Sequence, residues 1–244
     1  NLNGTDYVTF NNLTFTASDA TNGFAVHLMG GATFNTFNNC NMNASTTGTG
    51  TTLACVSASA SLTSYSATGI SASNNTFSNC NLNGGYFGFV FYGDGSNNAN
   101  NGGNTIVNCT ISNYYVYGAY NYYQSGTIYR SCTIERPVRA TVSTFYGVYL
   151  SSCANMLIEK NRIRKGFDAA LSSTSTAYCI YLTGDASVGN ENKIYNNLFS
   201  DMRFAGLLYG IYSTGSDYWQ AYHNTISFDH TASTGTSSTY GIYS

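Results

Sequence analysis

The sequence has few charged residues. Only 8% of its 244 residues are Asp, Glu, Lys or Arg, against about 25% in a typical soluble domain. Residues 1–129 contain no Lys or Arg, which excludes the basic stripe that nucleic-acid binding requires. No run of about 18 apolar residues occurs, and this excludes a membrane-spanning helix.

Residues that favour strands are abundant instead. The chain contains 22 Tyr and 14 Phe, together with 30 Asn and 25 Gly, which are poor helix formers. This composition favours strands over long helices. An aromatic content of 15% with a net charge of −2 argues against disorder. Low charge with abundant Asn, Thr and Tyr is typical of secreted proteins, so we expect an extracellular or cell-surface location.

A six-residue pattern recurs eight times: apolar, any residue, Asn-like, Cys or Asn, polar, apolar. The period is about 30 residues, which is in the range of solenoid repeats. The copies are residues 10–15, 37–42, 77–82, 106–111, 129–134, 158–163, 194–199 and 221–226.

A second pattern, aromatic-Gly-apolar-Tyr, alternates with the first. It is clearest at residues 117–120, 146–149, 178–181, 209–212 and 240–243, and looser at 24–27 and 87–90. In the second repeat the best match is residues 68–71, so the Ser/Thr/Ala/Gly-rich stretch 43–68 is expected to be a loop.

Each repeat therefore contains at least two short strands. Stacked repeats would pair each strand with its equivalents about 4.8 Å above and below, and would join the inward residues into one core. Parallel crossovers are right-handed. We predict an all-β protein in which residues 1–244 form one domain, a right-handed parallel β-helix (single-stranded β-solenoid) of about eight coils.

The first pattern also predicts a bend. Ile106 and Ile111 are five residues apart, so a straight strand would place them on opposite faces. A left-handed residue between them would let both side chains, and Cys109, face inward, and Asn tolerates that backbone conformation. We expect such corners at Asn12, Asn39, Asn79, Asn108 and Asn196, with His223 at the same position in a structural role.

The alternation of "YGIY" at residues 209–212 with "NKIYNNLF" or "NTIVNCTI" resembles the repeats of pectate-lyase-like and NosD-like parallel β-helix proteins. The resemblance extends over nearly the whole chain. It implies the solenoid fold but does not specify a single activity, since such proteins include polysaccharide lyases and hydrolases, phage tailspikes and non-enzymatic solenoids. The Cys-containing, Ser/Thr/Asn-rich version resembles surface proteins of Bacteroidetes-type bacteria.

The last residues, Tyr240 to Ser244, form a strand pattern with no capping segment. An open solenoid end is an exposed edge that favours aggregation. We therefore expect the natural polypeptide to continue past Ser244 and before Asn1, as part of a longer solenoid or multidomain protein.

The seven cysteines do not indicate a disulfide framework. Cys40, Cys80, Cys109 and Cys132 share one repeat position, so their Cβ atoms would be about 4.8 Å apart, beyond the range of a disulfide. We expect a column of small, buried, free thiols. No CxxC spacing occurs, so no metal site is expected. The repeat does not assign Cys55, Cys153 and Cys179.

Charged residues are concentrated between Arg130 and Asp168. Just after the strand end, Glu135 and Arg136 of one coil align with Arg164 and Lys165 of the next; Asp201 and Arg203 follow, and then Asp229 and His230. The family resemblance implies lyases that use an Arg or Lys base beside acidic groups, often with calcium, on a uronate. Arg164, Lys165, Glu135 and Asp201 are thus candidate catalytic residues, and the alternative is a surface row of solvated ion pairs.

The second pattern places a row of tyrosines on the surface. If Ile211 points inward, Gly210 and Tyr212 point outward. We predict an outward binding column of Tyr120, Tyr149, Tyr181, Tyr212 and Tyr243 beside a trough of glycines, suited to stacking sugars or receiving a neighbouring domain. The alternative is a tyrosine ladder that only stabilises the sheet.

No acid–base constellation or motif of the polygalacturonase type occurs. We expect a non-enzymatic β-solenoid module that acts as a spacer, an adhesin or a glycan-binding surface. Its partners would be polysaccharides or neighbouring domains of the same protein. The alternative is a polysaccharide lyase or glycoside hydrolase acting on an acidic polysaccharide. We expect no cofactor; calcium at the Asp94 turn is the alternative. Ice binding is disfavoured because no flat Thr-x-Thr array repeats.

Overall fold

The computed structural model describes residues 1–95, 101–228 and 237–244. Every regular element in this part of the chain is a β-strand, and all strand pairs are parallel. Three long sheets of eight or nine strands run along the molecule. The chain visits the three sheets in turn, so it winds as a parallel β-solenoid of about eight coils, as predicted.

Sheet A contains the longest strands. Its nine members, in spatial order, are β1 (Leu2–Asn3), β4 (Gly23–Met29), β8 (Leu53–Ala58), β12 (Phe87–Tyr92), β15 (Tyr117–Tyr122), β18 (Phe145–Ser151), β21 (Ala177–Thr183), β24 (Leu208–Thr214) and β27 (Thr239–Tyr243).

Sheets B and C are built from short strands on either side of one corner. Sheet B contains β2 (Thr9–Asn11), β6 (Thr36–Asn38), β10 (Thr76–Ser78), β13 (Thr105–Val107), β16 (Ile128–Arg130), β19 (Leu157–Glu159), β22 (Asn192–Tyr195) and β25 (Trp219–Tyr222). Sheet C contains β3 (Thr14–Thr16), β7 (Asn41–Asn43), β11 (Asn81–Asn83), β14 (Thr110–Ser112), β17 (Thr133–Glu135), β20 (Arg162–Arg164), β23 (Leu198–Ser200) and β26 (Thr225–Ser227). A two-stranded sheet pairs β5 (Ala32–Thr33) with β9 (Ala72–Ser73).

Equivalent residues of successive coils lie next to each other. In sheet C, Ile111 pairs with Ile134 and Ile134 with Ile163, and all three are fully buried. In sheet B, the rings of Phe37 and Phe77 stack with centroids 4.8 Å apart. The inward side chains thus form one continuous core, which a single three-residue strand could not bury.

The predicted corners are confirmed. Asn12, Asn39, Asn79, Asn108, Asn196 and His223 have φ between 53° and 58°. Ser131 and Lys160 hold the same position in the two remaining coils. This left-handed residue turns the chain from sheet B to sheet C, and Ile106, Cys109 and Ile111 all face inward as a result.

The cysteine column is confirmed as buried and free of disulfides. Each thiol is within hydrogen-bond distance of a carbonyl in the coil below; Cys80 Sγ lies 3.4 Å from Phe37 O, for example. In later coils the column continues with Asn161, Asn197 and Asn224, whose amides donate to the same carbonyl positions, as Asn161 Nδ2 does to Tyr129 O at 2.9 Å. The residue at this position satisfies a backbone acceptor in either case.

The register assigns the three remaining cysteines. Cys55 and Cys179 occupy the glycine position of the second pattern in sheet A. Cys153 follows the left-handed Ser152 and contacts the carbonyls of Asn121 and Ser151, which repeats the geometry of the Cys80 column at another corner. Burial raises the pKa of Cys55 and Cys153 to about 12, so these thiols stay protonated and unreactive at neutral pH.

The expected strand at residues 68–71 is wrong. The sheet A strand of the second coil is β8, inside the stretch expected to be a loop. Its small residues, including Ala54, Cys55 and Ser57, carry little strand propensity. Tertiary burial compensates, because every residue of β8 is buried. No helix in the described part of the chain is long and apolar enough to cross a membrane.

Candidate functional site: the tyrosine face

Two columns of tyrosine cover the outer face of sheet A. The first column is Tyr117, Tyr146, Tyr178, Tyr209 and Tyr240, and the second is Tyr120, Tyr149, Tyr181, Tyr212 and Tyr243. We call the two columns together the tyrosine face. The second column is the predicted one, and the first was not expected.

A local change in strand alternation brings both columns to the outside. In β24, four residues are buried and the two tyrosines are partly exposed: the buried residues are Leu208, Gly210, Ile211 and Ser213, and the partly exposed ones are Tyr209 and Tyr212. Two consecutive inward residues, Gly210 and Ile211, therefore separate two outward tyrosines. A strict alternation of faces along a strand does not allow this.

The predicted outward trough of glycines is consequently wrong. A Cβ added at Gly147 would lie 2.8 Å from Ile163 Cγ2 and 2.4 Å from Cys179 O. At Gly118 it would lie 2.6 Å from Ile134 Cγ2. The glycines thus face the core, where they make room for the β-branched isoleucines of sheet C.

The rings of each column stack along the solenoid. Centroid separations are 4.7–5.0 Å in the first column and 4.9–5.2 Å in the second. Rings of different columns meet edge to face, as Tyr146 and Tyr149 do at 5.4 Å. Both geometries are favourable for aromatic pairs. Ring edges and hydroxyls, rather than ring faces, are therefore turned toward solvent.

The phenolic hydroxyls of this face are available to a ligand. Within the described residues, the hydroxyls of Tyr146, Tyr149, Tyr178 and Tyr181 form no hydrogen bond to the protein. By contrast, the buried Tyr129 donates to Asn121 Oδ1 at 3.0 Å. Unused hydroxyl groups on a partly exposed apolar surface suit a ligand that has both hydroxyls and apolar CH groups.

The chain itself covers the other half of this sheet face. At the positions equivalent to the two columns, earlier coils have Ala54, Phe87 and Val90, which are at most 1% exposed. Tyr65, from the connection at residues 59–71, packs on Phe87 at 4.8 Å. The open face thus begins at Tyr117 and runs to the last described coil.

Burial and the neighbouring phenols change the ionisation of this face. They raise the pKa of Tyr178 from 10 to about 12, and burial raises the pKa of Tyr149 and Tyr181 as well. A raised pKa in the folded state means that deprotonation favours the unfolded state. The stabilisation is therefore complete below pH 10 and is lost as the pH rises toward about 12.

We accordingly predict an alkaline unfolding transition. The denaturant midpoint should fall steadily as the pH rises from about 10 to about 12, and tyrosinate absorbance should lag behind that of free tyrosine until the chain unfolds. If all 22 tyrosines titrated together near pH 10 without loss of structure, the protected tyrosine face would be contradicted.

The candidate catalytic residues lie on a different face of the solenoid. Glu135 and Arg164 are cross-strand neighbours in sheet C, with Arg164 Nε 3.0 Å from Glu135 Oε2. Lys165 and Asp201 follow the ends of their strands with φ of 51°, and Lys165 N donates to Asp201 O. The structure thus brings these residues together along one edge, where Glu135 already neutralises Arg164. Their catalytic role stays a prediction; Asp229 and His230 lie outside the described residues.

Arg136, which was expected in the charged surface row, and Arg139, from the same charged segment, are instead buried. Arg136 is fully buried: Nε and Nη2 donate to the carbonyls of Gly166 and Ser143 at 2.7 and 3.1 Å. Arg139 is 3% exposed and donates to the carbonyls of Asn113, Thr141 and Gly48. Long side chains allow both guanidinium groups to reach inward and hold connecting segments, which a strand-end position did not reveal.

The fold of this chain is shared with known proteins. A family model described as "Right handed beta helix region" matches residues 1–230. The chain belongs to this right-handed β-helix family. No curated protein shows significant similarity to it. Among solved structures, the Streptococcus pneumoniae surface protein and adhesin PfbA is similar over 97% of this chain and 67% of its own chain, with 12% sequence identity and a TM-score of 0.48.

Metal ligands are sparse in this β-helix, as far as the structure describes it. Within residues 1–95, 101–228 and 237–244, no group of three His, Cys, Asp or Glu residues is placed to hold a metal ion. The Asp94 turn, the candidate for calcium, continues into residues 96–100, which lie outside the described part.

Proposed function

We propose that this β-helix is a non-catalytic binding module of a secreted or cell-surface protein and that its tyrosine face binds a glycan chain. The observation that carries the proposal is the pair of uninterrupted tyrosine columns, from Tyr117 to Tyr243, on a sheet face that the described residues leave open. Their spacing of about 4.9 Å along the solenoid presents two phenol groups to a bound chain at every coil.

The chemistry of the face supports a glycan in particular. Tyr combines an apolar ring with a polar hydroxyl group, and a sugar combines CH groups with hydroxyls in the same way. The tyrosine face contains no Asp, Glu, Lys or Arg side chain, so recognition there would depend on hydrogen bonds and apolar contact. A linear polysaccharide lying along the solenoid would meet the same pair of groups in each successive coil.

The test is a binding assay with three tyrosines of the second column replaced. We expect Tyr149→Ser, Tyr181→Ser and Tyr212→Ser together to weaken binding to the recognised polysaccharide at least about tenfold, which corresponds to about 1.4 kcal/mol. The matching Phe variant keeps the rings and should lose less. Affinity electrophoresis on a polysaccharide panel, followed by calorimetry, measures both.

Tyr7→Asn is the matched control. Tyr7 is 76% exposed at a corner with φ of 58°, where Asn74 serves in another coil, so this replacement removes a tyrosine without strain. Unchanged glycan binding by the folded triple Ser variant, or no binding by the wild type across the panel, contradicts the proposal. Release of unsaturated uronate or new reducing ends would contradict a non-catalytic role.

A further inference from the structure

A separate cleft lies on the outer face of sheet B. It has a volume of about 370 Å³, and it is lined by Gly126, Ile128, Asn155, Met156, Leu157, Lys193, Tyr195 and Tyr222. We call it the sheet B cleft. It shares no residue with the tyrosine face.

The floor of the cleft is apolar and one wall is cationic. Ile128, Leu157 and Lys193 are consecutive cross-strand neighbours on the outward side of β16, β19 and β22. Two large apolar side chains on an outward position are unusual here, because earlier coils have Thr36, Thr76 and Thr105 at this position. The cleft therefore offers an apolar surface with an ammonium group at its edge.

The cleft is also lined by an aromatic platform. Tyr195 and Tyr222 stack with centroids 4.9 Å apart and planes 5° from parallel. Tyr195 is the cross-strand neighbour of Glu159, whose carboxylate raises the pKa of Tyr195. Glu159 is only 4% exposed and is ion-paired with Arg130. The Arg130–Glu159 pair thus lies beside the platform, and it leaves neither charge free.

Lys193 is the cationic residue among those that line the cleft. The ion pairs between side chains of the described residues are Arg130–Glu159 and Arg164–Glu135, so Lys193 has no carboxylate within ion-pair distance there. Glu191, two residues away, accepts the backbone N–H of Gly189 at 2.9 Å; this hydrogen bond and, to a smaller extent, the charge of Lys193 lower the pKa of Glu191. The cleft therefore has a positive charge, an apolar floor and an aromatic wall.

We propose that the sheet B cleft binds an anionic sugar unit, with Lys193 bound to its carboxylate or sulfate group and its ring against Leu157, Tyr195 and Tyr222. A charged donor forms strong hydrogen bonds with such oxygens, and aromatic side chains pack against the apolar side of a sugar ring. Glu159 is a positioning residue, since it does not line the cleft and lies next to Tyr195 in the neighbouring strand. The site is independent of the tyrosine face.

The experiment compares ligands that differ only in charge. Short β-linked glucuronate oligomers are titrated into the intact protein by calorimetry, with glucose oligomers of the same linkage and length as the neutral partner. A sulfated oligosaccharide is titrated separately and shows whether sulfate replaces carboxylate. We expect an anionic oligomer to bind at least about tenfold more tightly than the glucose oligomer, and its affinity to fall with added salt.

Variants assign the binding to the cleft. Lys193→Gln should weaken anionic binding about tenfold, and Tyr195→Ser with Tyr222→Ser should weaken it similarly. Lys160→Asn is the matched control: it removes the same charge from an exposed corner where other coils have Asn, and it should leave the affinity unchanged. Glu159→Gln should lower the affinity less than Lys193→Gln and should lower the pKa of Tyr195.

Three results would overturn the proposal. These are equal binding of the charged and neutral oligomers, equal losses in Lys193→Gln and Lys160→Asn, and absence of binding by the wild type to every anionic oligomer. The triple Ser variant of the tyrosine face should bind the anionic oligomer as the wild type does. Failure of one site is therefore distinguishable from failure of the other.

Discussion

Gly147→Ala is expected to lower the free energy of unfolding by about 2–3 kcal/mol, the upper part of the range for overpacked cores. The added methyl would lie 2.4 Å from the backbone carbonyl oxygen of Cys179 and 2.8 Å from Ile163 Cγ2. Neither neighbour is the end of a flexible side chain, so strands β18 and β20 would have to separate. Denaturant unfolding monitored by circular dichroism measures the loss.

Gly241→Ala provides the control within the same column. Among the described residues, its added methyl would meet only Ile226 Cδ1, at 3.7 Å, so the change in stability should stay within about 0.5 kcal/mol. Adding Ile163→Leu to Gly147→Ala should restore part of the loss, because Leu has no branch at Cβ. In the next coil, Cys179 occupies the glycine position, and Phe199 occupies the position of Ile163. Phe199 also has no branch at Cβ. Equal stability of the Gly147 and Gly241 variants would show that the glycines do not face the core.

Arg136→Ala is expected to be the most destabilising change, at about 3–5 kcal/mol. It removes the hydrogen bonds to the carbonyls of Tyr115, Ser143 and Gly166. It also removes a guanidinium that lies 4.5 Å from the centroid of the Phe167 ring. Burial lowers the pKa of Arg136 to about 10, so the group stays charged at neutral pH and binds these carbonyls as a cation.

Arg162→Ala is the control for that change. Arg162 is exposed on β20, and its removal should alter stability by less than about 0.5 kcal/mol. Arg136→Lys keeps the charge but not the planar set of donors, so its loss of stability should lie between those of Arg162→Ala and Arg136→Ala. If Arg136→Ala lowered the free energy of unfolding by less than about 1 kcal/mol, the buried, hydrogen-bonded role of Arg136 would be contradicted. Arg136 would then belong to the surface charge row.

The repeat was sufficient for most of the fold. Its period and its Asn residues specified the coils and the corner between sheets B and C, because a left-handed residue is a local requirement that few residue types meet. The Cys and Asn column was predictable for a similar reason: residues at one repeat position meet one environment. By contrast, β8 was missed because its small residues are as common in loops as in buried strands.

The candidate binding surfaces were only partly predictable. The second tyrosine column was expected, yet the first was missed, although an aromatic residue begins every copy of its pattern. The missing fact was the pair of consecutive inward residues, Gly210 and Ile211. Their direction depends on the isoleucines across the core, which no local spacing reveals. The sheet B cleft has no repeated pattern, since Ile128, Leu157 and Lys193 replace the threonines of earlier coils.

Sequence alone determined that this chain winds into coils, which residues form the inner columns, and which corner turns left-handed. Those features follow from local backbone preference and from a repeated environment. The tertiary structure alone decided which way the glycines face, which arginines are buried, and where two tyrosine columns and a lysine-bearing cleft open to solvent. Those outcomes depend on contacts between coils and across the core, where available volume and unpaired backbone carbonyls decide the position of each side chain.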